Sequence, residues 1–491
     1  MTAFAELLGL AVGGALVAGE SGTYPVHDPG RPNEVVLEAP WSSTAQVDRA
    51  VTAAAGAALE WAEVPFAERA ELVAAAATAG AEAAAAADLA VLLTREHGKV
   101  LSESQLELAL PAAIAATFVE LAAGALPARA VGSGTLVARP HGVVAALLPF
   151  NWPVSVLVSK VAPALLAGNT VVVKPPPTCP GTTLAVAGVM AAALPAGVLN
   201  TVNGPGAEVG ESLVTHPAVA MITLTGGVAT GRAVMRSAAE RLVPVLLELG
   251  GNDAAIVAPD ITPDHRLAQE LLDAALPTSG QVCLALKRLY VPEGRVDEFV
   301  AALVDRASRC VTGHGLDPEV TIGPVHTAAA AQRAEAMVAE AEAAGARVYR
   351  PGRVTAEAAG SAGYYVSPAV VSRPPRTATV VTEEQFAPLL PVIGYRDLDD
   401  AVAAANDSSF ALGASVWSGD ADLAAGLATR LEAGTVFTNA HGPGALDPHL
   451  PLGGWKTSGI GCEFGSDGIL AYTRRQARQP PRLLPSNPES F

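Results

Sequence analysis

Three short segments carry side chains that could act together on a carbonyl group. In Gly280-Gln281-Val282-Cys283 a cysteine follows a flexible turn and precedes an apolar strand, and its thiolate is nucleophilic enough to attack a carbonyl carbon. Packing alone would also account for it, since free cysteine is among the most buried residue types. In Leu247-Glu248-Leu249-Gly250-Gly251-Asn252 a carboxylate terminates an apolar strand ahead of two glycines. Desolvation there raises a carboxyl pKa and suits it to general-base work near neutral pH; the alternative is a glutamate bonded to its own glycine turn. In Pro149-Phe150-Asn151-Trp152-Pro153 an amide sits where a strand gives way to a helix. Asn151 can offer its NH2 to an oxyanion, joined by the backbone N–H of Cys283, or it can cap the helix that Pro153 is free to begin.

The elements that must position these groups alternate. Short apolar runs at 143–148, 170–173, 198–202, 220–224 and 243–247 are separated by helical patterns at 154–166, 182–194, 207–213 and 229–239. Such repetition predicts a parallel sheet with helices on its faces. A second alternation, through 254–257, 287–291, a helix from Asp297, the Ala/Glu-rich stretch Ala328–Ala343 and strands around 364–371 and Leu389–Tyr395, predicts a second α/β domain. Upstream, Thr44 is placed to cap an Ala-rich helical run that continues past Glu60-Trp61 to His97. The tail from Gln476, rich in Pro and Arg, is an extended arm or disordered.

Composition narrows the class. A chain of 491 residues exceeds what one core usually serves, and half its residues are apolar, so two sizeable domains are expected. A formal charge of -17 argues against nucleic acid or an anionic membrane as partner. The apolar opening at 4–18 is interrupted by Glu6 and four glycines and reads as strand and turn, not a secretory signal. No other stretch has the length free of Pro and charge that a membrane span requires. The four cysteines, Cys179, Cys283, Cys310 and Cys462, show neither a CxxC pair nor metal spacing, so no metal site is expected and a reduced, cytoplasmic compartment is.

Together the motifs resemble the aldehyde dehydrogenase superfamily, from the Gly13-Gly14 segment to about Tyr472. Pro149–Pro153 is similar to its Pro-aromatic-Asn-aromatic-Pro element, Lys174-Pro175 to its Lys-Pro, and Thr225-Gly226-Gly227 to its Thr-Gly-Ser. Glu248 falls in Glu-Leu-Gly-Gly and Cys283 in Gly-Gln-x-Cys. Glu384-Gln385-Phe386-Ala387-Pro388 resembles Glu-x-Phe-Gly-Pro, and Leu452-Gly453-Gly454-Trp455-Lys456-Thr457-Ser458-Gly459 resembles Phe-Gly-Gly-x-Lys-x-Ser-Gly.

That resemblance implies an α/β fold with a Rossmann-type cofactor domain (1–119 and 140–250), an α/β catalytic domain (251–450) and a small oligomerisation sheet (120–139 and 470–491). It implies a homodimer or homotetramer joined through segments near 121–138 and after Leu470. It implies that an aldehyde is oxidised to a carboxylic acid with NAD or NADP: Cys283 attacks, Asn151 holds the oxyanion, and Glu248 activates water against the thioester. Lys160 and Glu463 resemble positions that relay the proton from Glu248; a surface lysine and a helix-capping glutamate are the alternative. By the same resemblance Lys174 binds the adenosine ribose, the Thr225-Gly226-Gly227 turn faces the pyrophosphate, and Glu384 holds the nicotinamide ribose, with Pro149, Phe150, Pro177, Leu249, Gly250 and Phe386 completing the cofactor wall.

Departures from the family pattern are informative. Pro177 stands where many NAD-preferring members have a ribose-binding glutamate, so NADP should be tolerated. Gly227 replaces a serine, which predicts weak cofactor affinity. Ala387 and Leu452 are milder changes to which no function is assigned. Val282 and Leu284 flank the thiol and Trp152 follows Asn151, predicting an apolar or aromatic aldehyde. The loop 439–451 resembles the substrate-anchoring loop; His441 and His449 in it are expected to be solvated, with His441 the nearer to substrate. Two other functions fit less well: a coenzyme A-acylating enzyme, which would not need Glu248, and a non-catalytic binding protein.

Overall fold

The computed structural model describes residues 3–480. Its centre is a six-stranded sheet in the order Gly459–Ile460, Val245–Glu248, Val219–Thr225, Val143–Leu147, Thr170–Lys174, Leu199–Thr201. The last five run parallel; the short Gly459–Ile460 strand pairs antiparallel with Val245–Glu248. Val143–Leu147 and Thr170–Lys174 are buried along their whole length, as parallel strands covered on both faces must be. The chain order reverses between Val143–Leu147 and Val219–Thr225, and ligands of open α/β sheets enter at that switch point, beyond the carboxyl ends of the strands. Residues 149–152 and 225–227 follow those two ends.

A seven-stranded sheet comes next, ordered Arg347–Tyr349, Ala369–Ser372, Leu389–Tyr395, Leu286–Pro292, Asp253–Val257, Gly413–Trp417, Thr435–Thr438. It is parallel except for Arg347–Tyr349. Only four residues, 249–252, carry the chain from the first sheet to the second. A third, antiparallel sheet joins Thr473–Arg478, Gly134–Pro140 and Arg129–Val131.

Several boundaries differ from expectation. Ser43, not Thr44, caps the first long helix: its hydroxyl accepts from the Gln46 N–H while the Gln46 side chain returns to the Ser43 N–H. The opening includes a helical turn, Ala3–Leu7, before a hairpin, Leu10–Val12 with Ala15–Val17, that turns on Gly13 and Gly14 at positive φ. Residues 121–125, expected in the intersubunit strand, close the helix Pro111–Ala125, where Leu121 and Ala122 pack in the core beside Phe118. The strand expected at 364–371 starts only at Ala369. The tail from Gln476 pairs as a strand through Arg478; 481–491, assigned to the arm, lie outside the described residues. By length and composition Leu101–Ala125 is apolar enough to cross a membrane, yet Pro111 divides it into two helices and its second half packs into the protein core.

Candidate active site

Cys283 lies where two cavities meet. One, about 790 Å³, follows the switch point of the first sheet and is lined by Pro149, Phe150, Lys174, Pro177, the 225–227 turn, Leu249, Gly250, Glu384 and Phe386. The other, about 830 Å³, is lined by Trp152, Val156, Val282, Leu284, Leu412, Leu452 and Phe464 among others. Cys283, Asn151 and Thr225 border both, so one sulfur faces two chambers. It is partly exposed, not sealed in a core.

The turn before the sulfur is held under strain. Thr278, Ser279 and Gly280 all have left-handed backbone, φ 53°, 57° and 75°, which costs about 1–2 kcal/mol for each non-glycine residue. Side chains pay this back: the Trp152 indole N–H donates to Thr278 Oγ1 at 3.0 Å, Ser279 Oγ donates to the Gly323 carbonyl, and Lys287 Nζ donates to the Gly280 carbonyl at 2.6 Å. Burial pushes the Cys283 thiol up to about 12, with the charges of Glu384, Asp253 and Glu248 adding to it against the Leu284 N–H. At neutral pH the thiol is protonated and needs a base.

Glu248 ends its strand at the edge of the second cavity, with Oε1 buried and unpartnered. Its carboxyl is held well above the usual range by burial first and by the Glu463 charge second, with Lys160 opposing. Lys160 and Glu463 are neither a surface lysine nor a helix cap. Lys160 is wholly buried in the helix Pro153–Leu166 and bonds Glu463 Oε1 at 2.5 Å and Thr223 Oγ1 at 2.9 Å. Phe464, not Glu463, occupies the cap position of the next helix. Asn151 does not cap its helix either, because Trp152 stands at that position. Its amide donates one N–H to the Gln281 carbonyl at 3.0 Å, which leaves the second N–H for the cavity.

The first cavity fits a dinucleotide. Gly227 caps the twelve-residue helix Val228–Ala239, whose free N–H groups suit a pyrophosphate. Thr225 Oγ1 is buried without a partner beside it. Glu384 accepts from the Gly251 N–H at 3.0 Å and crowds Gly250 so closely that a Cβ there would collide. Burial lowers Lys174 to about 8, and its Nζ donates to the Pro175 carbonyl at 3.2 Å. The Pro177 carbonyl accepts from the Tyr24 hydroxyl at 2.9 Å. Phe150 stacks on His326 with centroids 4.3 Å apart and meets Phe386 edge-on. The Leu249 N–H donates to the Ser458 carbonyl, fixing the strip that crosses between sheets.

Val282, Leu284 and Trp152 stand in the second cavity as expected, and Asn439, Ala440, Pro443, Gly444 and Ala445 bring the anchoring loop to it. His441 is not solvated: its side chain is sealed, with Nδ1 2.9 Å from Ser415 Oγ and Nε2 3.6 Å from Asp253 Oδ2. His449 is half exposed and pairs with Asp447.

These features match known proteins over nearly the whole chain. The aldehyde dehydrogenase family model covers residues 16–477. The chain belongs to the aldehyde dehydrogenase family. It is similar to 3,6-anhydro-alpha-L-galactose dehydrogenase of Streptomyces coelicolor, 37% identical over 94% of this chain and 95% of that one. It is also similar to geranial dehydrogenase of Castellaniella defragrans, 36% identical over 90% and 92%. Among solved structures it resembles aldehyde dehydrogenase C of Pseudomonas syringae in complex with NAD+ and octanal, with TM-score 0.90 and 33% identity over 98% and 99% of the chains. As a member of this family the dehydrogenase is an oxidoreductase that takes aldehydes to acids with a nicotinamide dinucleotide.

Three residues that hold the site, the buried Lys99 and Glu107 and the half-buried Glu103, were missed. Glu107 Oε1 accepts from the Val154 and Ser155 N–H groups at 2.7 and 3.2 Å, and Glu107 Oε2 pairs with Lys99 at 2.6 Å. Glu103 Oε1 accepts from the Thr278 N–H at 2.6 Å. The spacing of four between Lys99, Glu103 and Glu107 was the available signal.

Proposed function

We propose that the dehydrogenase oxidises an uncharged, apolar or aromatic aldehyde to its acid with NAD or NADP, through a thioester on Cys283. The observation that carries this is the sulfur at the junction of a dinucleotide cleft and an apolar chamber. A bound dinucleotide supplies the hydride acceptor; the chain supplies the rest. The Cys283 sulfur bonds to the carbonyl carbon as its proton passes to water in the chamber, and Glu248 acts only in the later hydrolysis. The second Asn151 N–H and the Cys283 backbone N–H receive the oxyanion. After oxidation Glu248 takes a proton from water, which displaces the sulfur and releases the acid. Lys160 and Glu463 lead that proton away.

Among the described residues the chamber's lining holds no Lys or Arg, while Glu103, Glu270 and Asp273 stand in it, which disfavours an anionic aldehyde. A panel of aldehydes read at the nicotinamide absorbance tests this; succinate semialdehyde as best substrate would refute it. Acid release without coenzyme A separates the hydrolytic from the acylating reaction. Pro177 and the buried Lys174 support tolerance of a 2′-phosphate, and a thousandfold preference for NAD would end that idea. The strand Arg129–Val131 is exposed throughout at a sheet edge, which supports a homodimer or homotetramer, checked by light scattering. Four free cysteines support a cytoplasmic setting, checked by fractionation.

A further inference from the structure

One short helix touches both halves of the proposed oxyanion site. Leu101–Ala109, with Lys99 two residues ahead of it, presents Lys99, Glu103 and Glu107 at intervals of four. Lys99 Nζ donates to the Asn151 carbonyl at 2.5 Å and to Glu107, and lies 4.6 Å over the Trp152 ring. Glu107 in turn receives the first free N–H groups of the helix that follows Trp152. These contacts fix residues 151–155 from behind. Glu103 reaches the other side and receives the Thr278 N–H, within the strained turn that leads to Cys283. Two bonds link the two sides directly, from the Asn151 amide to the Gln281 carbonyl and from the Trp152 indole N–H to Thr278 Oγ1, both at 3.0 Å.

We propose that this helix is a bracket setting the gap between the Asn151 amide and the Cys283 backbone N–H, with Glu103 as a positioning residue for the nucleophile turn. Glu103 transfers no proton; its carboxylate holds Thr278 in left-handed backbone and so aims the Cys283 N–H. The inference rests on the proposed roles of Cys283 and Asn151.

The test compares two reactions of the same sulfur. Aldehyde oxidation needs the oxyanion donors, whereas alkylation by iodoacetamide at fixed pH does not. Glu103→Ala should lower kcat for oxidation at least about tenfold, since small misplacements of reacting groups are costly, while leaving the alkylation rate and the NAD+ Kd within about threefold. Glu103→Gln, whose amide oxygen still accepts the Thr278 N–H, should recover most of the loss. Glu103→Leu, which keeps bulk without an acceptor, gives the same comparison if the alanine variant does not fold. Oxidation falling less than tenfold, or alkylation falling in parallel, overturns the proposal. A Cys283→Ala control that still oxidises aldehyde would instead overturn the nucleophile assignment.

Discussion

Replacing Gly227 with serine should tighten dinucleotide binding. Gly227 has φ -76° and ψ 152°, ordinary extended backbone at a helix cap, and no heavy atom lies within 4 Å of where its Cβ would stand. A serine therefore fits without displacing anything, and its hydroxyl projects beside the helix N-terminus that lines the cleft. One hydrogen bond to a charged group contributes about 1.5–3 kcal/mol, and each ~1.4 kcal/mol is a factor of ten. Kd for NAD+ should fall by about tenfold to about a hundredfold. Serine instead of glycine at a cap adds only a few tenths of a kcal/mol to stability, so Tm should move by about 1 °C or less. Calorimetric titration of both proteins with NAD+ and NADP+ measures this directly. A Kd unchanged within about twofold would mean that the pyrophosphate does not sit at this helix, and the cleft would need another occupant.

Glu248→Gln should leave a single-turnover burst of reduced cofactor and cut steady-state turnover by about 10²–10⁴. In the parent protein the rate should rise with pH through the raised Glu248 pKa, because only the ionised carboxylate accepts a proton; the glutamine variant should lack that limb. Lys160→Met removes a charge that lowers the Glu248 pKa, so the acid limb should move to higher pH in a rate profile. It also strands the buried Glu463 carboxylate, costing about 3–5 kcal/mol and several degrees of Tm by calorimetry. Leu452→Phe fills part of the second chamber and should lower kcat/KM for bulky aromatic aldehydes more than for short-chain ones.

What the sequence disclosed was local. Cys283, Glu248 and Asn151 stood in motifs whose turn and strand signals sit within a few residues, and the structure brings all three to one place. The buried polar contacts were not readable, because each joins residues far apart in the chain. Glu107 lies 47 residues from the Val154 N–H it receives, and Glu103 lies 175 from that of Thr278. Lys160 and His441 looked like surface residues because charge and loop composition usually mean exposure; Glu463 offsets the burial of Lys160, and Ser415 bonds His441 through Nδ1 while the Asp253 carboxylate stands 3.6 Å from Nε2. The Ser43 cap was legible, since Gln46 follows at the spacing of a capping box, and Thr44 was simply the neighbouring hydroxyl.

The high proton affinity of Cys283 bears on durability as well as on turnover. Burial holds the thiol in its protonated form at neutral pH, and peroxide attacks sulfur chiefly in its ionised state. The resting protein therefore carries its nucleophile in a form that mild oxidants attack slowly, so activity should survive dilute peroxide at neutral pH and be lost faster as the pH rises.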